Sequence, residues 1–120
     1  MKKIILLMML LVFITACGKA EVAQVQSVDC LNKNVLMGEG AVLIDVRSPM
    51  EYKQAHLDNS INIDVDAIEN TIESKVEDKN TKIIVYCRSG NRSATAAQKL
   101  VNMGYKNVYD LGAMSNCSND

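Results

Sequence analysis

Residues 82–93 read KIIVYCRSGNRS, and the rest of the chain is arranged around them. Ile83-Ile84-Val85-Tyr86 is a short apolar run rich in β-branched side chains, which predicts a buried strand. It stops at Cys87, and the loop Arg88-Ser89-Gly90-Asn91-Arg92 follows. Ser93 then predicts the N-cap of a helix over 94–103, with Ala96, Ala97, Leu100 and Val101 at core spacing and Gly104 ending it. A strand, a tight loop and a helix N-terminus in that order gather backbone N–H groups around whatever the loop holds. Here the loop holds a thiol with two arginines beside it. Such surroundings lower a thiol pKa and produce a thiolate nucleophile. The plainer reading is a structural cysteine at a strand end, because unbridged cysteine is often buried.

The flanking sequence reads as scaffold. Residues 22–25 predict a short first strand, and Ser27 an N-cap for a helix over 28–37 that ends at Gly38 and Gly40. AVLIDV at 41–46 predicts a second buried strand. Ser48-Pro49-Met50-Glu51 combines a capping serine, a first-turn proline and a glutamate three residues on, so a capping box opens a helix over 49–55. A short strand over 60–63 follows, then a helix over 66–76 with Ile68, Ile72 and Val76 on one face. Asn80 marks a turn, and NVYDL at 107–111 predicts the last strand. Strands alternating with helices imply an α/β fold: a small, mainly parallel sheet with helices on both faces. Sites in such sheets lie at the carboxyl ends of strands, where Cys87 and Asp45 both fall.

At 120 residues the chain holds one domain, with a formal net charge of −1. Without Lys2 and Lys3 the remainder carries −3. It has no basic run, no zinc-finger spacing and no tryptophan, so nothing points to a nucleic-acid partner. The N-terminus has its own logic. Met1-Lys2-Lys3 is a positive start, and residues 4–14 are eleven apolar residues in a row. That is short of the about 20 residues a membrane-spanning helix needs and suits a signal peptide. Ile14-Thr15-Ala16-Cys17 followed by Gly18 resembles a bacterial lipobox. The resemblance implies a signal peptide over 1–16, lipid on Cys17, and a tether over 17–23 leading to a domain over 24–120. It implies an extracytoplasmic chain anchored to a bacterial membrane, since acyl chains bury many methylenes. An ordinary cleaved signal and an uncleaved anchor are the alternatives.

Three segments together resemble a known family. They are Leu43-Ile44-Asp45-Val46-Arg47-Ser48 with Glu51-Tyr52, then Ala55-His56-Leu57-Asp58-Asn59-Ser60-Ile61-Asn62-Ile63, then Tyr86-Cys87-Arg88-Ser89-Gly90-Asn91-Arg92-Ser93 with Gly104-Tyr105-Lys106-Asn107-Val108 downstream. They look like a single-domain rhodanese, a sulfurtransferase. The resemblance implies that Cys87 carries sulfur as a persulfide and that the N–H groups of loop 87–92 hold the anionic sulfur. It implies a small thiosulfate-like donor, a thiol or cyanide acceptor, and no metal or organic cofactor; a monomer is expected, though the sequence does not decide the oligomeric state. The chain departs from the family at Ala55 (usually Gly), at Asn59-Ser60 (usually Gly-Ala), and at Gly112-Ala113 and Cys117, where paired glycines and a tryptophan are common.

Each candidate carries a bland reading beside the functional one. Arg88 and Arg92 suit an anionic donor, or face solvent or pair with acids. Ser89, Gly90 and Asn91 offer main-chain donors, with Gly90 in a conformation closed to other residues. Ser93 is a cap first. Asp45 is read as a support for the active loop, not a participant in the chemistry. Arg47 and Glu51, four apart, are read as a structural pair, and the lone His56 as part of a turn more than as a Cys–His dyad. Cys30 and Cys117 bridge in an oxidising setting, or Cys117 resolves the Cys87 persulfide, or Cys30 is a half-buried helix residue. Three rival functions remain. A cysteine phosphatase would need five residues between cysteine and arginine, and this loop has four. A persulfide carrier would show little turnover. A redox protein would pair Cys87 with Cys117.

Overall fold

The computed structural model describes residues 23–117. The lipobox, Cys17 and the tether up to residue 22 lie outside the described residues. Five strands form one parallel sheet in the order β1-β5-β4-β2-β3. They are β1 (Val25–Ser27), β2 (Val42–Asp45), β3 (Ser60–Asn62), β4 (Lys82–Cys87) and β5 (Asn107–Ala113). Between them run α1 (Cys30–Gly38), α2 (Pro49–Gln54), α3 (Ile68–Lys75) and α4 (Asn91–Asn102). A 3-10 turn, Val65–Ala67, leads into α3, and another, Met114–Cys117, closes the described chain. The sheet is therefore the α/β fold that the alternating pattern predicts.

Strand β4 is central because its run is apolar on both faces, and all of residues 83–87 are buried. Its side chains alternate. Ile83, Val85 and Cys87 join Ile44, Ile68, Ile72, Ala97 and Leu100 in a core beneath α3 and α4. Ile84 and Tyr86 join Leu43, Leu111 and Cys117 in a smaller core on the other face, against which Leu36 and Met37 of α1 pack. The predicted stripe of Ile68, Ile72 and Val76 is buried as expected.

Several boundaries differ for identifiable reasons. Ser27 does not cap α1, because it is still paired with Asp110 of β5. Asp29 takes the role, its carboxylate accepting from the Asn32 N–H at 2.8 Å. Ser93 does not cap α4 either. The helix begins at Asn91, with Gly90 at the cap position in a left-handed conformation (φ 100°). Half of the predicted capping box forms at α2, where Ser48 Oγ accepts from the Glu51 N–H at 3.3 Å; the Glu51 carboxylate itself is taken by Arg92. Strand β5 runs two residues past the predicted end, through an irregularity that puts Tyr86 opposite Gly112 instead of Leu111.

Two departures from the family pattern have local explanations. Asn59 adopts φ 63°, a left-handed turn that asparagine tolerates where glycine is more usual. Ser60 adds a hydroxyl that donates to the Leu57 carbonyl at 2.7 Å.

Candidate active site

Cys87 ends the central strand at the carboxyl edge of the sheet, where the chain turns through loop 88–90 into α4. It is the one unbridged cysteine among the described residues, and it is fully buried. The Gly90 N–H points at its sulfur, 3.0 Å away. That aim requires the left-handed Gly90: a side chain there would meet nothing closer than the Gly112 Cα at 3.9 Å, so the backbone angle, not space, demands glycine.

Burial alone pushes the Cys87 thiol up. The Ser93 hydroxyl and the N–H groups of Ser93, Gly90 and Ser89 act the other way, and their sum leaves the thiol below its ordinary range. Ser93 therefore belongs to the sulfur cradle. In the resting geometry its hydroxyl donates to the Gly90 carbonyl at 3.0 Å.

Arg92 is held by a two-pronged bond to Glu51, Nη1 to Oε1 at 3.1 Å and Nη2 to Oε2 at 3.0 Å. Glu51 keeps the guanidinium protonated, and the nearby Cys87 charge adds to this. In return Arg92 holds the Glu51 carboxyl below its ordinary range. Of the two readings for Arg92, the resting structure takes the ion pair while keeping its charge beside the sulfur. Arg88, Ser89 and Asn91 are exposed, and Arg88 borders a cleft next to the loop.

Asp45 does not bond the active loop directly. Its carboxylate receives the Arg47 N–H at 2.9 Å and the Arg47 guanidinium, with Nη2 at 2.7 Å. Arg47 continues to the Ala55 carbonyl at 2.6 Å and lies 4.0 Å from Glu51. A chain of charges, Asp45–Arg47–Glu51–Arg92, thus runs from the end of β2 to the active loop. The expected Arg47–Glu51 pair is its weakest link, and the Glu51–Arg92 link joins residues 41 apart in sequence, a spacing without any local signal.

The sequence also gave no sign of the role of Tyr86. Its hydroxyl accepts from the Leu57 N–H at 3.0 Å and meets Ser60 Oγ at 3.0 Å. Because Ser60 donates to Leu57, the Tyr86 proton goes to Ser60. Burial pushes this phenol up to about 12, so it stays neutral and pins the 57–60 turn.

His56 is exposed, stacked on Tyr52 at 3.8 Å, with Nδ1 2.7 Å from the Tyr52 carbonyl. That is the turn role, and no contact brings it to Cys87. Cys30 and Cys117 form a disulfide, the first of the three alternatives. Among the described residues no three His, Cys, Asp or Glu side chains gather as metal ligands.

The loop geometry agrees with what comparison finds. A profile of the Rhodanese-like domain matches residues 27–118. The chain belongs to the rhodanese-like family. It is an enzyme of the rhodanese sulfurtransferase type. It is 39% identical over 71 residues to the thiosulfate sulfurtransferase PspE of Escherichia coli, covering 59% of this chain and 68% of that protein. It is 37% identical over 76 residues to the thiosulfate sulfurtransferase GlpE of Pseudomonas syringae, covering 63% and 70%. A solved structure described as a rhodanese with anions from E. coli superposes with a TM-score of 0.63 at 36% identity, covering 65% of this chain and 92% of that one.

Proposed function

We propose that this rhodanese moves a sulfane sulfur from a thiosulfate-like donor to a thiol or cyanide acceptor through a persulfide on Cys87. The observation that carries the reading is the Gly90 N–H aimed at Sγ from 3.0 Å, in a loop whose donors outweigh burial and favour the thiolate. The thiolate attacks the outer sulfur of thiosulfate, the S–S bond of the donor breaks, and sulfite departs with its electron pair. The new outer sulfur carries the negative charge in the cradle that held the thiolate. An acceptor then takes that sulfur in a second step. Arg92 supplies positive charge beside the sulfur, and a donor oxyanion competes with Glu51 for its guanidinium. Names given to the relatives support the donor class. The four-residue spacing between Cys87 and Arg92 argues against a phosphoryl group.

The test is the intact mass of the protein after thiosulfate and again after cyanide. One added sulfur, removed by cyanide and missing in Cys87→Ser, is expected; an accessible Cys87 that never gains mass refutes the reading. The second reading is a carrier that holds its persulfide with little turnover, favoured by the complete burial of Cys87. Slow release to every acceptor would select it. We further place the enzyme outside the cytoplasm, as a monomer tethered by lipid on Cys17. Cys17→Ser should free it from membranes or block its processing, and a variant still bound and normally cleaved would refute the anchor.

A further inference from the structure

Arg47 is a buried cation that the sulfur chemistry leaves unused. Its side chain is 6% exposed, and Asp45 and the Ala55 carbonyl hold it in place, with Nη1 bonded to neither. Arg92 is the opposite case, 35% exposed and held by Glu51, itself 32% exposed. Glu51 stands between the two. Its Oε2 accepts from Arg92 Nη2 at 3.0 Å and lies 4.0 Å from Arg47 Nε. The second distance exceeds a charge-assisted bond by about 1 Å, a gap that rotation of the glutamate side chain covers. Arg92, Arg47 and Arg88 all act on the Glu51 charge. At rest each of the first two has its own acid, Glu51 for Arg92 and Asp45 for Arg47. An oxyanion can therefore gain Arg92 only by taking it from Glu51. The displaced carboxylate then faces a like charge, and Arg47 offers it a second guanidinium that is already fixed. An ion pair a third exposed costs little to exchange in this way.

We propose that Glu51 is a positioning residue that moves between two arginines: it closes on Arg92 while the site is empty, shifts to Arg47 when the oxyanion end of the donor arrives, and returns to Arg92 to displace the sulfite. The inference rests on the sulfurtransferase reading and adds to it how the charged end of the donor is admitted and released. Arg47 is the fixed seat, because Asp45 and the Ala55 carbonyl leave it no freedom to follow Glu51. Arg92 is the seat that changes hands. A donor without an oxyanion end cannot open the Glu51–Arg92 pair, so Glu51 selects the donor class as well. The same competition works in reverse after sulfur transfer. Sulfite holds Arg92 against a carboxylate on a neighbouring helix, which is always present at high local concentration, so the product does not linger.

Sulfate, an unreactive oxyanion with the shape of thiosulfate, is titrated into the unloaded full-chain protein. Calorimetry reads its affinity, and NMR follows the Arg47 Nε–H, which is sheltered by burial and by its bonds to Asp45. Glu51→Gln keeps the backbone N–H that Ser48 caps, so α2 stays intact. It should bind sulfate about two- to fivefold more tightly, the worth of an exposed ion pair, and lower the KM for thiosulfate by a similar factor. In an Arg92→Ala background, Glu51→Gln should change neither. The Arg47 resonance should shift as sulfate fills the native protein and stay put in Glu51→Gln. If Glu51 merely braces Arg92 for the donor, Glu51→Gln instead weakens sulfate binding and raises KM, as Arg92→Ala does, and that sign overturns the proposal. A native protein that binds no sulfate, an Arg47 resonance that ignores bound sulfate, or one that shifts equally in Glu51→Gln also overturns it. Sulfate affinity and the Arg47 signal involve no sulfur transfer. If both respond as stated and thiosulfate still never loads Cys87, the exchange between arginines stands and the sulfurtransferase reading falls.

Discussion

Reducing the Cys30–Cys117 bridge should destabilise this domain about as much as a large core truncation. The two cysteines are 87 residues apart, so the bridge closes nearly all of the described chain into one loop. A cross-link of that span removes about 4–5 kcal/mol of chain entropy from the unfolded state at 25 °C, while losses measured on removing native bridges run about 2–5 kcal/mol. The whole stability of a small domain is about 5–15 kcal/mol. The bridge also ties the N-terminal end of α1 to the turn after β5, so its loss removes the covalent link between the two segments. Circular dichroism melts with and without reductant, and of Cys30→Ser/Cys117→Ser, measure the effect. At about 4–8 °C per kcal/mol, Tm should fall by at least about 8 °C. Alkylation mass before and after reduction reports the bridge itself, as two additional reactive thiols. A Tm that stays put while those two thiols appear would refute the loop-closure argument; no new thiols would refute the bridge.

Further tests address the loop and its supports. Tyr86→Phe leaves the Leu57 N–H without its partner and should cost about 1–3 kcal/mol, read as a lower urea midpoint; an unchanged midpoint refutes the pinning role. Because the folded Cys87 pKa is lowered, the thiolate contributes stability above the unfolded thiol pKa of about 8.5, and this is lost as pH falls through the folded value. Iodoacetamide alkylation of Cys87 should accordingly titrate below the ordinary thiol range, and Ser93→Ala should move that midpoint up; a midpoint unmoved by Ser93→Ala refutes its place in the cradle. Arg92→Ala should raise the KM for thiosulfate roughly tenfold through loss of a charged donor, with Tm little changed; an unaltered KM refutes its part in donor binding.

The run 82–93 made the strand, loop and helix legible because each rests on local chemistry: β-branched residues, a glycine at a forced angle, small residues at helical spacing. The caps were less legible. Ser27 and Ser93 are good caps by type, but sheet pairing claimed one and the helix starts two residues before the other, at Asn91. Glu51 looked like half of a capping box because nothing nearby in sequence reveals a guanidinium 41 residues on. Asp45 pointed at the right edge of the sheet, yet its bond goes to Arg47, two residues away, and reaches the loop only through Glu51. The cleft was invisible, since its lining comes from four separate stretches that only the fold brings together.

The alternation along β4 has a consequence for how such an enzyme diversifies. Tyr86 and Cys87 are neighbours in the chain but face opposite cores, one holding the 57–60 turn and the other the nucleophile. A single peptide unit separates the sulfur from the phenol that pins the 57–60 turn. Substitutions on the Tyr86 face can therefore accumulate and reshape the 57–60 turn while the packing around the sulfur stays as it is.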